Sequence, residues 1–242
     1  MKITIFNGSP RAEKGNTYII SKEFSEGAKS AGAEVENIFL VAKRINYCKG
    51  CFTCWTKTPG KCVINDDMAE LLLKFASSDI VVFATPLYVD NVSGIMKCFM
   101  DRLIPLLDPH FELDGGGECC HPTNGKNVPK IAVISNCGFP QQSHFQVLQL
   151  LFGRIARNMH SEVIAEIYRS SGEIIGHAPL LLKPLVWQYN KLLQKAGREV
   201  TENLRLSAQT RKELEKPLIS AELYMKAANK YWDNELRKLN KQ

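Results

Sequence analysis

A doubly wound α/β fold around a five-stranded parallel sheet is the architecture this sequence predicts. Three observations carry it. Five short apolar runs lie between residues 2 and 168, helical patterns separate them, and the third run, DIVVFAT, is rich in Val and Ile. Strands alternating with helices imply parallel pairing through right-handed crossovers. An apolar run rich in Val and Ile suits a central strand buried on both faces.

Residues 2–7, KITIFN, read as the first strand. Gly8-Ser9-Pro10-Arg11 turns the chain, and Gly15-Asn16-Thr17 leads into a helix. Ile19, Ile20, Phe24 and Ala28 share one face of it at spacings of three and four. Gly32 ends this helix, and residues 34–40 make the second strand. A cysteine-rich loop spans 42–65. Asn65-Asp66-Asp67 caps a helix over 68–76, where acidic residues favour the N-terminus. The third strand is 79–85. A helix over 93–107 follows, with Pro105 arguing for an early stop. Residues 108–129 form a loop rich in Gly, Pro, Asp and Asn, of a length that usually signals function or mobility. Strands over 130–135 and 161–168 flank a helix over 141–158. From Gly176 onward only helical patterns remain, over 185–207 and, past Pro217, over 220–238. Five strands in this alternation suit the flavodoxin-like order 2-1-3-4-5. Residues 1–172 therefore form the α/β domain. Residues 173–242 form a helical extension packed on it or on a partner subunit, where Tyr224, Tyr231 and Trp232 read as core or interface.

The 242 residues are 45% hydrophobic and 23% charged, which suits a folded core rather than disorder. A net charge of +6 favours anionic ligands such as phosphates but falls short of a nucleic-acid signature. Arg211, Lys212, Lys216, Lys230, Arg237, Lys238 and Lys241 supply part of the surplus and read as a solvated helical face. The N-terminus turns polar after six residues, unlike a signal peptide, and no apolar run approaches the ~20 residues of a membrane span. A cytoplasmic protein with neither nucleic-acid nor membrane partners is expected. In that compartment eight cysteines argue for metal, cluster or redox roles before disulfides.

The loop Gly8-Ser9-Pro10-Arg11-Ala12-Glu13-Lys14-Gly15-Asn16-Thr17 joins the first strand to the first helix. Amides there point at an anion, with the helix dipole helping. It matches neither GxxxxGK[ST] nor GxGxxG. It resembles the phosphate loop of the NAD(P)H-dependent FMN reductase and iron–sulfur flavoprotein group of the flavodoxin-like superfamily. The resemblance implies that Ser9, Arg11, Asn16 and Thr17 hold an FMN phosphate. The block from Thr85-Pro86-Leu87-Tyr88 through Gly94 and Lys97 to Asp101-Arg102 is similar to the group's TPxYxxxxxGxxKxxxDR pattern. By that likeness Pro86, Leu87 and Tyr88 border the flavin. Asp101-Arg102 reads as an ion pair on a helix surface or interface. The end of the fourth strand, Asn136-Cys137-Gly138, meets the isoalloxazine by the same resemblance, with Gly138 allowing close backbone approach.

Cys48, Cys51, Cys54 and Cys62 follow the spacing C-x2-C-x2-C-x7-C. Thiolates at such gaps can wrap a cubane cluster. The spacing resembles the compact motif of iron–sulfur flavoproteins, which implies a [4Fe–4S] cluster on these four residues. Related reductases carry a similar loop as plain thiols, matched here by Cys51 to Trp55 and Pro59-Gly60-Lys61-Cys62, and four cysteines also suit zinc. These alternatives stay open. Cys119-Cys120-His121 reads as incidental. The resemblance implies NAD(P)H as hydride donor to FMN and no dedicated acid or base. Electrons then pass to a small-molecule acceptor or through the cluster to a redox protein, within a homodimer or homotetramer. The rival is a non-enzymatic carrier like flavodoxin. Such carriers are usually acidic and shorter, whereas this chain is basic and bears extra helices.

Overall fold

Apolar runs become strands and amphipathic runs become helices in the computed structural model, which describes residues 1–123 and 128–239. Residues 124–127 of the expected long loop, and Lys241 of the basic set, lie outside the described residues. In chain order come β1 (Lys2–Asn7), α1 (Asn16–Ser30), β2 (Glu34–Phe39), α2 (Thr53–Thr56), α3 (Met68–Ala76), β3 (Ile80–Pro86) and α4 (Gly94–Asp101). Then follow β4 (Glu112–Leu113), β5 (Cys119–Cys120), β6 (Lys130–Asn136), α5 (Gln146–Asn158), β7 (Val163–Arg169), α6 (Glu173–His177), α7 (Lys183–Asn203), α8 (Ala208–Glu215) and α9 (Ala221–Leu239).

The main sheet runs β2-β1-β3-β6-β7 with every pair parallel. Setting aside the antiparallel β4–β5 hairpin, this is the predicted 2-1-3-4-5 order. β3 has no charged residue and is buried throughout, as a central strand must be. Aromatic packing fills one side of the sheet, with Phe6 stacked on Phe99 at 4.4 Å and Phe83 against Phe152 at 5.2 Å. On the other side Ile3, Ile5, Ile20 and Phe24 meet Leu193 and Ala196 of α7.

α7 lies directly on α1. A Cβ on Gly27 would fall onto the Gln194 carbonyl, and one on Gly197 onto the Phe24 carbonyl. The two helices therefore touch backbone to backbone, which only glycine permits. Arg169, at the end of β7, is buried and donates to the carbonyls of Leu214 and Lys216, both at 3.1 Å. Its guanidinium sits 4.9 Å from the centre of the Tyr189 ring. This fixes α8 against the domain. α8 was not expected, because its sequence is polar and buries only Thr210 and Leu214. The helix expected over 93–107 stops at Asp101, and Pro105 sits in a separate 3-10 turn, Ile104–Leu106. Ser93 caps α4 by accepting from the Met96 amide, and its hydroxyl donates to the Gly8 carbonyl at 2.6 Å. That bond ties the start of α4 to the first loop. α9 buries none of its residues. No helix among the described residues is long and apolar enough to cross a membrane.

Candidate functional site

The carboxyl ends of β1, β3 and β6 open onto a cleft of about 200 Å³. Ligands of open α/β sheets occupy this edge. Arg11 reaches the cleft from the first loop, Pro86, Leu87 and Tyr88 from the end of β3, and Asn136, Cys137 and Gly138 from the end of β6. The walls are stitched together through the backbone. The Leu87 amide donates to Asn136 O at 2.9 Å, and the Gly172 amide to Cys137 O at 2.8 Å. Tyr88 and Asn91 exchange two backbone hydrogen bonds around a tight turn, with Val89 at φ 47° and Asp90 at φ 52°. Two successive positive φ angles are the signature of a type I′ turn. A β-branched residue is strained there, and such strain collects at binding sites. The turn leaves Tyr88 half exposed beside the cleft. Burial pushes the Cys137 thiol up to about 11, so it stays protonated at neutral pH.

Ser9, Asn16 and Thr17 do not line the open cleft; they are buried next to it. Asn136 Nδ2 donates to Thr17 Oγ1 at 2.7 Å, and the Ser9 amide donates to Asn7 Oδ1 at 3.0 Å. Several polar atoms in this region are buried without a hydrogen-bond partner among the described residues: Asn7 Nδ2, both amide atoms of Asn16, and Ser135 Oγ. Each such atom costs about 1–3 kcal/mol if left unsatisfied. The N-cap of α1 is Gly15, which has no side chain to cap the first turn. The first amides of that helix are thus offered to an outside acceptor. Arg11 meets Glu173 at 3.4 Å across the cleft, with both side chains about half exposed. Glu173 escaped the sequence reading, since a lone carboxylate after the last strand carries no pattern.

Cys48, Cys51, Cys54 and Cys62 line one pocket, walled also by Val63, Ile64 and Ile104. Left-handed backbone at Gly50 (φ 61°) and Phe52 (φ 50°) curls the loop around it. Trp55 anchors the loop, its indole N–H donating to the carbonyls of Leu107 (2.9 Å) and Ile104 (3.1 Å). Burial, then the neighbouring Cys62, Cys51 and Cys48 thiols, push the Cys54 thiol up. The Thr53 hydroxyl, 3.3 Å from Cys51 Sγ, lowers that thiol. Four thiols facing one pocket are a donor set that either a polynuclear iron–sulfur group or a single tetrahedral ion can use.

The reading of Asp101-Arg102 as a surface or interface pair is corrected. Asp101 pairs with Lys97, while the side chain of Arg102 is 1% exposed and grips Asp66, itself fully buried. Nη1 and Nη2 of Arg102 each reach one Asp66 oxygen at 2.9 Å, and Nη1 also donates to Asn46 O at 2.7 Å. Burial opposes the Arg102 charge, but Asp66 and the adjacent Cys62 thiol hold it above its ordinary value. Burial likewise opposes the Asp66 carboxylate. Arg102, the Asn46 amides and the Met68 amide outweigh that and hold Asp66 well below the usual carboxylate range. A cationic pair member thus backs the four-cysteine pocket.

Comparison with known proteins bears on this site. The model of a family described as NADPH-dependent FMN reductase matches residues 1–128. The chain is similar to an iron-sulfur flavoprotein of Archaeoglobus fulgidus, 41% identical over 105 residues, which are 43% of this chain and 46% of that one. It is similar to another from Methanocaldococcus jannaschii, 41% identical over 106 residues, covering 44% and 53%. A third, from Methanosarcina thermophila, is 34% identical over 113 residues, covering 47% and 58%. The matched stretch spans about half the length of these relatives. Among solved structures, an FMN-dependent NADH-azoreductase from Bacillus anthracis, in complex with FMN, superposes with a TM-score of 0.61 at 16% identity. That match covers 83% of this chain and 99% of the other. An NAD(P)H:quinone oxidoreductase from Methanothermobacter marburgensis gives 0.60 at 14% identity, covering 84% and 98%. At such identities the likeness is one of fold.

Proposed function

The chain belongs to the NADPH-dependent FMN reductase family, and from that premise we propose that it holds FMN in the cleft above β1, β3 and β6. In this reading it oxidises NAD(P)H and passes electrons to a small-molecule acceptor, directly or through a [4Fe–4S] cluster on the cysteine loop. The observation that carries the reading is the group of buried, partnerless polar atoms of Asn7, Asn16 and Ser135 near an uncapped helix N-terminus. A phosphorylated ligand can accept from the donors among them and from the first amides of α1. Pro86, Leu87 and Tyr88 offer a flat wall to a planar ring, and the Cys137-Gly138 turn offers backbone to its polar edge.

FMN, when bound, accepts hydride and releases electrons singly or in pairs. The chain's own residues do the rest. Arg11 and the first turn of α1 hold the phosphate, with Ser9, Asn16 and Thr17 shaping the loop that presents those amides. Glu173 yields Arg11 to the incoming anion. Cys137, kept as a neutral thiol, adds no charge beside the ring. The test is a titration of the apoprotein with FMN and with riboflavin. We expect one FMN per chain and far weaker riboflavin. Arg11→Gln should weaken FMN about tenfold, the scale of one charge-assisted hydrogen bond. Glu173→Gln should tighten it by at most about fivefold, since the pair it removes is exposed. A cleft that ignores FMN ends the proposal. FMN binding without NAD(P)H turnover would instead make the chain a carrier.

The four thiols in one pocket support the cluster, as do the names of the similar iron-sulfur flavoproteins. Anaerobically purified protein is expected to hold about four iron atoms and matching sulfide per chain. Cys62→Ser should strip both. Zinc in place of iron would refute this part alone. The exposed Leu223, Tyr231, Trp232 and Leu236 of α9 support a homodimer or homotetramer, which light scattering on the eluting protein would check.

A further inference from the structure

We infer that Glu112, Cys120 and His160 form a separate single-ion site for zinc or a similar borderline divalent cation, pinning the β4–β5 hairpin to the end of α5. None of these three residues lines the cleft or the cysteine pocket.

Glu112 carboxylate oxygen, Cys120 Sγ and His160 imidazole nitrogen all lie within 4.8 Å of one another. They arrive from both strands of the hairpin and from the turn after α5. Glu112 Oε1 is 3.1 Å from His160 Nε2, and the main-chain oxygen of His121 is 2.9 Å from that same nitrogen. One sulfur, one imidazole nitrogen and two oxygens make a donor set that zinc accepts. Bonds of about 2.0–2.3 Å put tetrahedral ligands roughly 3.3–3.8 Å apart. The trio therefore needs to contract by about 1 Å or more to enclose an ion.

The surroundings favour a cation at this trio. Asp114 and Glu118 are taken up by Arg157 (2.6 Å) and Arg154 (2.8 Å), whereas Glu112 faces His160. Arg157 also lies 3.5 Å from the Cys119 carbonyl, which holds β5 in place. The Cys120 thiol is buried at the back of the group, and Glu112 and His160 are open to solvent at the front. An ion has an entry path and a soft ligand waiting inside. Binding releases the Cys120 thiol proton and needs no oxidant or reductant, since His160 coordinates as a neutral imidazole and Glu112 as a carboxylate.

The test uses the full chain carrying C48A, C51A, C54A and C62A, which removes the competing thiols. Titrated with Co²⁺, it should take up one equivalent and show a thiolate-to-cobalt charge-transfer band. Adding C120S should abolish that band, and adding H160Q should weaken binding at least tenfold. A protein with intact circular dichroism that takes up no cobalt would overturn the inference, as would a band that survives C120S. Should the four-alanine chain fail to fold, C120S and H160Q go into the otherwise unaltered protein, saturated with zinc and desalted. Each should then hold one zinc fewer than its parent, and an unchanged zinc count would refute the site.

Discussion

Arg102→Met is expected to cost the fold about 3–5 kcal/mol, the usual price of leaving one member of a buried ion pair alone. Both side chains are at most 1% exposed and their contact is bidentate. Methionine fills much of the space but leaves the Asp66 carboxylate facing an apolar side chain. Urea denaturation should show the loss as a lower midpoint with an unchanged slope. Pairing the change with Asp66→Asn should recover part of it, since the stranded charge is then gone. The acid limb carries the same information. Asp66 has a depressed pKa, so its contribution is present above the unfolded value near 3.9 and fades as pH falls through the folded value. Without Arg102 that folded value rises, and acid unfolding should begin at higher pH. A midpoint shift worth under 1 kcal/mol would mean the pair is not what holds this corner. Asp66 sits four residues after Cys62, so the variant should also weaken the cluster proposed for the cysteine loop.

Gly197→Val is expected to destabilise the protein by more than the 1–3 kcal/mol of ordinary overpacking. The obstacle is the Phe24 carbonyl, and backbone cannot swing aside as a side chain does. Gly27→Ala should act in the same direction through the Gln194 carbonyl. The sign is the informative part. Both glycines lie inside helices, where alanine normally stabilises by about 1 kcal/mol. Thermal melts followed by circular dichroism should show both variants falling below the parent, and a gain for Gly27→Ala would show that α1 and α7 can slide apart freely. Since α1 begins at the loop proposed to hold the FMN phosphate, FMN affinity should drop with stability.

Much of this could be read from residues alone. The nearly all-apolar IVVFAT, the turn residues between β1 and α1, and the endings of β3 and β6 are local signals. They led to Arg11, Pro86, Leu87, Tyr88, Asn136, Cys137 and Gly138, which the cleft brings together. Arg102 was misread because it follows Asp101 directly. Neighbours on a helix point about 100° apart and cannot share a face; Arg102 turns inward and Asp101 outward. Asp66 was read as a helix cap. It does accept from the Met68 amide at 3.2 Å, but its second task depends on a residue 36 positions away. Glu173, and the meeting of Glu112 with Cys120 and His160, depend on how loops return across the sheet edge. No period or motif encodes that. α8 was missed because a short polar helix held by Arg169 owes its existence to a tertiary anchor rather than to its own amphipathicity.

The glycine crossing of α1 and α7 also sets an order of events during synthesis. Gly27 leaves the ribosome about 170 residues before Gly197. At roughly 5–20 residues per second that is a wait of about 9–34 s. Throughout it, the stripe of α1 destined for α7 stays in water, so the nascent chain is exposed to chaperones and to misassociation until its late-arriving partner appears.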